Sequence, residues 1–138
     1  MSEAENTALA RRFIEESFNR GRSEAVRELV HAQAVGHLEG FEVRGPEGFL
    51  PAWANLLGAF PDLNVIIQDV VAERESVVVR WTASGTHKGP HLGFPPTLKL
   101  VGFRGMTWLR FSEGRIIETW DSWNQGRLFN ELQSAWKR

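Results

Sequence analysis

The chain has 138 residues, 42% apolar and 24% charged, which suits one packed domain over 1–138 and excludes compositional disorder. Sixteen basic and seventeen acidic residues leave a net charge of −1, so nucleic acid is not expected as a partner, because phosphate binding needs clustered positive charge. With no cysteine and no tyrosine, disulfides, zinc–thiolate sites, thiol nucleophiles and phenol-dependent mechanisms are excluded.

Residues 1–6 carry neither the basic flank nor the apolar run of a signal peptide, and no stretch approaches the ~20 apolar residues that span a bilayer. No membrane partner and a cytoplasmic address are therefore expected. Ser2 and Glu5 have the spacing of a capping box, after which Leu9, Ala10, Phe13, Ile14 and Phe18 recur at helical spacing up to Asn19-Arg20-Gly21. Ser23 is placed to cap a second helix over 24–30, and His31 stands at its end, where an imidazolium favours the helix dipole. Residues 31–45 read as a loop with a short strand over 34–38, which carries His37. Gly45-Pro46 opens a third helix with the stripe Phe49, Leu50, Trp53, Leu56, Leu57 and Phe60.

From residue 63 the pattern changes to strands. Residues 63–73 and 76–86 are rich in Val and Ile and meet at Arg74-Glu75. Residues 87–97, with His87 and His91, read as a loop. Residues 98–112 and 115–123 form a second hairpin about Glu113-Gly114, and a last helix runs from Gln125 to about Lys137. Helices followed by antiparallel strands predict an α+β domain, with a curved sheet and covering helices enclosing a cone-shaped pocket.

The Glu113-Gly114 turn predicts a register. Pairing Ser112 with Arg115 sets Trp108 opposite Thr119, Met106 opposite Asp121 and Arg104 opposite Trp123. Asp121 then shares a face with Ile117, Thr119, Met106 and Trp108, with Arg104 diagonal to it. A carboxylate among Met and Trp side chains is costly unless paired or protonated, which outlines an acid/base site. The bland alternatives are an ion pair with Arg104 or a cap on the last helix, and a bulge in the hairpin would change the assignments. On this register Trp120 and Leu109 face outward and predict an apolar patch. His37 is a candidate at the cone mouth; His87 and His91 are candidates in the loop. Trp53 and Leu57 are the third helix's candidates for the apolar wall. His87 and His91 have a spacing of four but enclose Gly-Pro in a loop without a nearby third ligand, so no metal is expected; no Gly-x-Ser-x-Gly elbow or Walker loop occurs, and no cofactor is expected.

The runs 85–97, Gly-Thr-His-Lys-Gly-Pro-His-Leu-Gly-Phe-Pro-Pro-Thr, and 111–121, Phe-Ser-Glu-Gly-Arg-Ile-Ile-Glu-Thr-Trp-Asp, resemble the SnoaL-like polyketide cyclase family. The turn 59–63, Ala-Phe-Pro-Asp-Leu, and the helix end 18–21, Phe-Asn-Arg-Gly, are similar to it as well. The resemblance implies a nuclear-transport-factor-2-like cone, often dimeric through the outer sheet face. It also implies an aspartate on the last strand, here Asp121, as acid/base for an intramolecular aldol closure. Where those enzymes carry a His two residues earlier, this chain has Thr119.

The expected function is acid/base chemistry on a hydrophobic carbonyl compound. Asp121 acts with His87 or Arg104, and His37, Trp53, Leu57, Met106, Trp108, Thr119 and His91 line the substrate. Epoxide-hydrolase-like water activation by Asp121 and Arg104 is an alternative; so is passive binding of an apolar small molecule.

Overall fold

The computed structural model describes residues 1–136. Helix α1, Glu3–Ile14, starts on the expected capping box: Ser2 Oγ accepts from Glu5 N at 3.0 Å and Glu5 Oε1 accepts from Ser2 N at 3.1 Å. Its buried face carries Asn6, Ala10, Phe13 and Ile14. It continues into a π-helical turn, Glu15–Asn19, that widens the last coil before Gly21 reverses the chain at φ +65°. Widened turns leave carbonyls free, and here Trp53 Nε1 donates to Ser17 O at 2.6 Å. Asn19 pairs its side chain with both backbone groups of Val65, at 2.6 and 2.8 Å, which ties the helix end to the sheet.

Helix α2, Ser23–Leu29, begins one residue earlier than expected, with Ser23 inside the helix and no side-chain cap. The region read as mostly loop is a hairpin, β1 (Val30–Leu38) and β2 (Phe41–Arg44), about a Glu39-Gly40 turn with Gly40 at φ +91°. His31 consequently lies on β1, where its Nδ1 accepts from Gln33 N at 2.9 Å, and not at a helix end. Helix α3, Gly45–Ala59, has Pro46 in its first turn. Strands β3 (Asn64–Glu73), β4 (Ser76–Thr86), β5 (Leu100–Ser112) and β6 (Arg115–Trp123) follow, then α4, Gln125–Trp136. The expected end of this helix at Lys137 lies outside the described residues.

The six strands form one sheet in the order β2-β1-β6-β5-β4-β3. Among the described residues only the β1–β6 contact is parallel. The helices cover its concave face in two buried clusters. One joins α1 and α2 to the sheet through Phe13, Ile14, Val26, Leu29, Val77, Val79, Leu109 and Ile116. The other joins the end of α3 and α4 through Phe60, Leu63, Ala83, Phe103, Leu128 and Leu132. The space between the clusters is the interior of a cone.

The β5–β6 register corrects the predicted one. Glu113 and Gly114 both have positive φ, +50° and +78°, as a type I′ turn needs, and Ser112 does pair with Arg115. A bulge at Ile117 then shifts the partners by one. Phe111 faces Ile116, Arg110 faces Glu118, Leu109 faces Thr119 and Thr107 faces Asp121. Asp121 and Thr119 keep a common face, but Leu109 and Thr107 replace Trp108 and Met106 as their neighbours. Met106, Trp108 and Arg104 point to the convex side, with Met106 and Trp108 about half exposed at 52% and 49%. Leu109, expected outside, is fully buried.

Candidate active site

A partly open cavity of about 320 Å³ occupies the cone. Its wall is overwhelmingly apolar: Phe13, Phe18, Phe49, Trp53 and Leu56 come from the helices, and Trp81, Phe103, Leu109 and Trp123 from the sheet. Gly105 makes room for two of the indoles, because a Cβ there would lie 2.5 Å from Trp123 Cβ and 2.8 Å from Trp81 Cζ2. The polar residues that line the cavity are Asp121, Glu39, Thr107, Thr119, Asn55 and Gln125. No Lys, Arg or His is among the described residues that line it.

Asp121 sits on β6 where the strand crosses the apolar wall. Removing a carboxylate from water disfavours its charged form, and this burial, with a smaller push from the Glu39 charge, raises its pKa from 3.8 to about 6. A hydrogen bond from Thr107 opposes the rise. That bond has a fixed direction. Trp81 Nε1, which can only donate, gives its hydrogen to Thr107 Oγ1 at 3.0 Å, so the Thr107 proton is committed to Asp121 Oδ1 at 2.6 Å. The Trp81–Thr107 relay thus anchors one carboxylate oxygen and leaves Oδ2 for a ligand. Thr119, two residues before Asp121, has its hydroxyl buried without any protein partner. Buried polar groups are seldom left unpaired, and this hydroxyl belongs to a residue of the cavity wall.

Several expected site residues lie elsewhere. Arg104 is exposed on the convex side, and its backbone N donates to Asn124 Oδ1 at 2.9 Å. The Asp121–Arg104 pair required for epoxide-type water activation does not form, because the bulge leaves residues 104 and 121 on opposite faces. His37 also points outward: its Nε2 lies 2.7 Å from Glu118 Oε2 and its Nδ1 2.9 Å from Glu42 Oε2, while its ring stacks on Trp120 at 5.3 Å.

His87 is fully buried, but away from the cavity, as a brace for the 87–99 loop. Its Nδ1 meets Thr97 N at 3.2 Å and Thr97 Oγ1 at 3.1 Å, and its ring packs against Phe60. Burial pushes its pKa below the ordinary imidazole value. His91 is exposed and packs its ring against Gly58 and Gly89 outside the cavity wall. Leu57 turns toward the second core cluster, and its neighbour Leu56 lines the cavity instead. Met106 and Trp108 are excluded by their outward orientation. Of the expected set, Asp121, Thr119 and Trp53 line the cavity.

Glu39 and Thr107 are the additions. Glu39 was hidden because its hairpin was read as loop, although the Glu39-Gly40 pair is a turn signal. The opposite charges of Arg110 and Glu118, which form an ion pair across the two strands, were the available clue to the register that brings Thr107 to Asp121. No group of three His, Asp or Glu side chains suited to a metal occurs among the described residues. No helix among them is long and apolar enough to cross a membrane.

The family model for SnoaL-like polyketide cyclases matches residues 8–132. The chain belongs to the SnoaL-like polyketide cyclase family. Its structure is similar to a candidate SnoaL-like polyketide cyclase from Jannaschia sp. CCS1, at 25% identity, with 94% of this chain and 92% of that chain covered and a TM-score of 0.88. AclR from Streptomyces galilaeus, described as a candidate hydroxylase, is 29% identical over 96% of this chain and 83% of its own, with a TM-score of 0.86. IdmH from Streptomyces antibioticus, a candidate polyketide cyclase, is 30% identical over 96% of this chain and 99% of its own, with a TM-score of 0.77. No curated protein sequence matches this SnoaL-like chain. Family and neighbours support a small-molecule enzyme or binding protein on a nuclear-transport-factor-2-like fold.

Proposed function

We propose that the cavity holds an apolar carbonyl compound and that Asp121 removes a proton α to the carbonyl. The observation that carries this reading is a carboxylate with pKa raised to about 6, set in an otherwise greasy wall and anchored by one oxygen only. A base works best when its pKa lies near the working pH, and such groups contribute roughly 10²–10⁴-fold. The C–H proton passes to Asp121 Oδ2 and its electron pair to the enolate oxygen. The enolate carbon then attacks a second carbonyl of the same molecule, or expels a β-hydroxyl, with Asp121 returning the proton to oxygen. Negative charge moves from carboxylate to enolate, so the cavity's total charge is unchanged while the proton is held. In place of the expected His87 and Arg104, the donors for the enolate are the side-chain amides of Asn55 and Gln125, both residues of the cavity wall.

The test is Asp121→Asn, which keeps size and an acceptor for Thr107 but removes the base. With a confirmed carbonyl substrate, kcat should fall at least about 100-fold, equivalent to about 2.7 kcal/mol, with little change in substrate affinity. Full turnover in this variant overturns the reading. A passive role is favoured by one observation, that no cationic donor is among the described residues of the wall. It predicts ligand binding unchanged by the variant and no turnover in the wild type.

A further inference from the structure

The cavity contains two carboxylates, and the proposed chemistry uses one. Glu39 stands at the β1–β2 turn and is held there by Trp123, whose backbone N donates to Glu39 Oε1 at 3.1 Å. Trp123 is two residues beyond Asp121 on the same face of β6, so the bond fixes Glu39 at the Asp121 end of the cavity. Glu39 lines the cavity, and its negative charge is felt by Asp121. No cationic side chain among the described lining residues offsets the pair. Arg110 pairs with Glu118 and Arg80 with Asp69, and Arg104 is exposed on the convex face. Thr119, on the same wall, keeps its buried hydroxyl without a protein partner.

We infer that Glu39 makes this cavity selective by charge, so that it accepts neutral or cationic aromatic ligands and turns away organic anions. The inference rests on the reading of the cone as the ligand site, but not on Asp121 being a base. An anionic ligand entering here loses its water, finds no counter-charge among the described lining residues and faces two carboxylates in a low-dielectric wall. A neutral ligand avoids that penalty, and a ligand N–H or ammonium gains the Glu39 oxygen not used by Trp123. The ligand class is accordingly an aromatic compound without an ionised acid group, or one that carries an amine.

The experiment compares two dyes that share one aromatic framework, N-phenyl-1-naphthylamine and its 8-sulfonate, by fluorescence titration of the full chain at pH 8. The neutral dye should bind wild type at least about tenfold more tightly than the sulfonate, as expected for like charges a few ångströms apart in a partly buried site. Glu39→Gln removes the charge and retains an acceptor for Trp123 N–H. It should shift the ratio of neutral-dye to sulfonate affinity about tenfold toward the sulfonate, because both dyes carry the same N–H and only the sulfonate is relieved of a like charge. Near-equal affinities in wild type overturn the inference. So does an unchanged ratio in Glu39→Gln, whether or not Asp121→Asn alters it, and so does failure of both dyes to bind. Binding that vanishes in Trp108→Ser, on the convex face, overturns the assignment to the cavity. Loss of turnover in Asp121→Asn is read separately, so the charge filter and the base fail or stand independently.

Discussion

A carboxylate held at about pKa 6 costs the fold stability wherever it is ionised, and that cost can be measured without a substrate. The folded-state pKa of Asp121 lies above its ordinary value of 3.8. The native state therefore binds this proton more tightly than the unfolded chain, and the Asp121 contribution to stability is fully present below pH 3.8 and is lost as pH rises through about 6. The difference of some two pKa units corresponds to about 3 kcal/mol, of order-of-magnitude precision. Asparagine at this position has no charge to desolvate, and its Oδ1 still accepts the Thr107 proton. Asp121→Asn should thus be more stable than wild type at pH 8 by up to about 3 kcal/mol, or roughly 10 °C in Tm for a chain of this size. The gain should shrink to near zero at pH 4, where both proteins are neutral at this position. Thermal unfolding followed by tryptophan fluorescence or circular dichroism at pH 4, 5, 6, 7 and 8 gives the curve. A Tm difference that does not vary with pH, or a variant less stable than wild type at pH 8, refutes the argument that burial sets this pKa. Stabilisation together with lost turnover is the signature of a group placed for chemistry at the expense of the fold.

Thr107→Val removes the one hydrogen bond that lowers the Asp121 pKa. Its NMR titration midpoint should rise above the wild-type value, and the acidic limb of any pH–rate profile, where the base loses its proton, should move to higher pH with it; an unchanged midpoint contradicts the relay. His87 has the opposite linkage: its pKa is depressed by burial, so its contribution to stability is present above the ordinary value of 6.5 and is lost as pH falls below it. In the Asp121→Asn background, Tm should decline between pH 7.5 and 5, and His87→Asn, which retains an acceptor for Thr97 N, should flatten that decline; identical slopes refute it. The convex face, with Met106, Trp108 and Trp120 exposed around the Arg110–Glu118 pair, is proposed as the contact between two copies of the chain. Sedimentation at micromolar concentration should show a dimer that Trp108→Glu dissociates, and a monomeric wild type rejects the contact.

Elements whose start and stop signals are local were legible in the sequence. The Ser2–Glu5 capping box, the Gly45-Pro46 helix start and the Glu113-Gly114 turn depend on side chains and φ preferences within a few residues, and each forms as its residue types dictate. The inward direction of Asp121 and Thr119 followed from simple alternation along one strand. Their neighbours did not. A bulge at Ile117, where two adjacent β-branched residues offer either parity, slides β5 by one position. That single step exchanges Met106 and Trp108 for Thr107 and Leu109, and removes Arg104 from the site. The Glu39 hairpin was obscured for a related reason: β1 and β2 contain His, Gln, Gly and charged residues, and are held as strands by pairing with β6 and with each other. Composition and motif order were sufficient for the family and the cone. Which carboxylates, hydroxyls and indoles meet inside it was decided by strand register, which arises from pairing between residues distant in sequence and leaves little local trace.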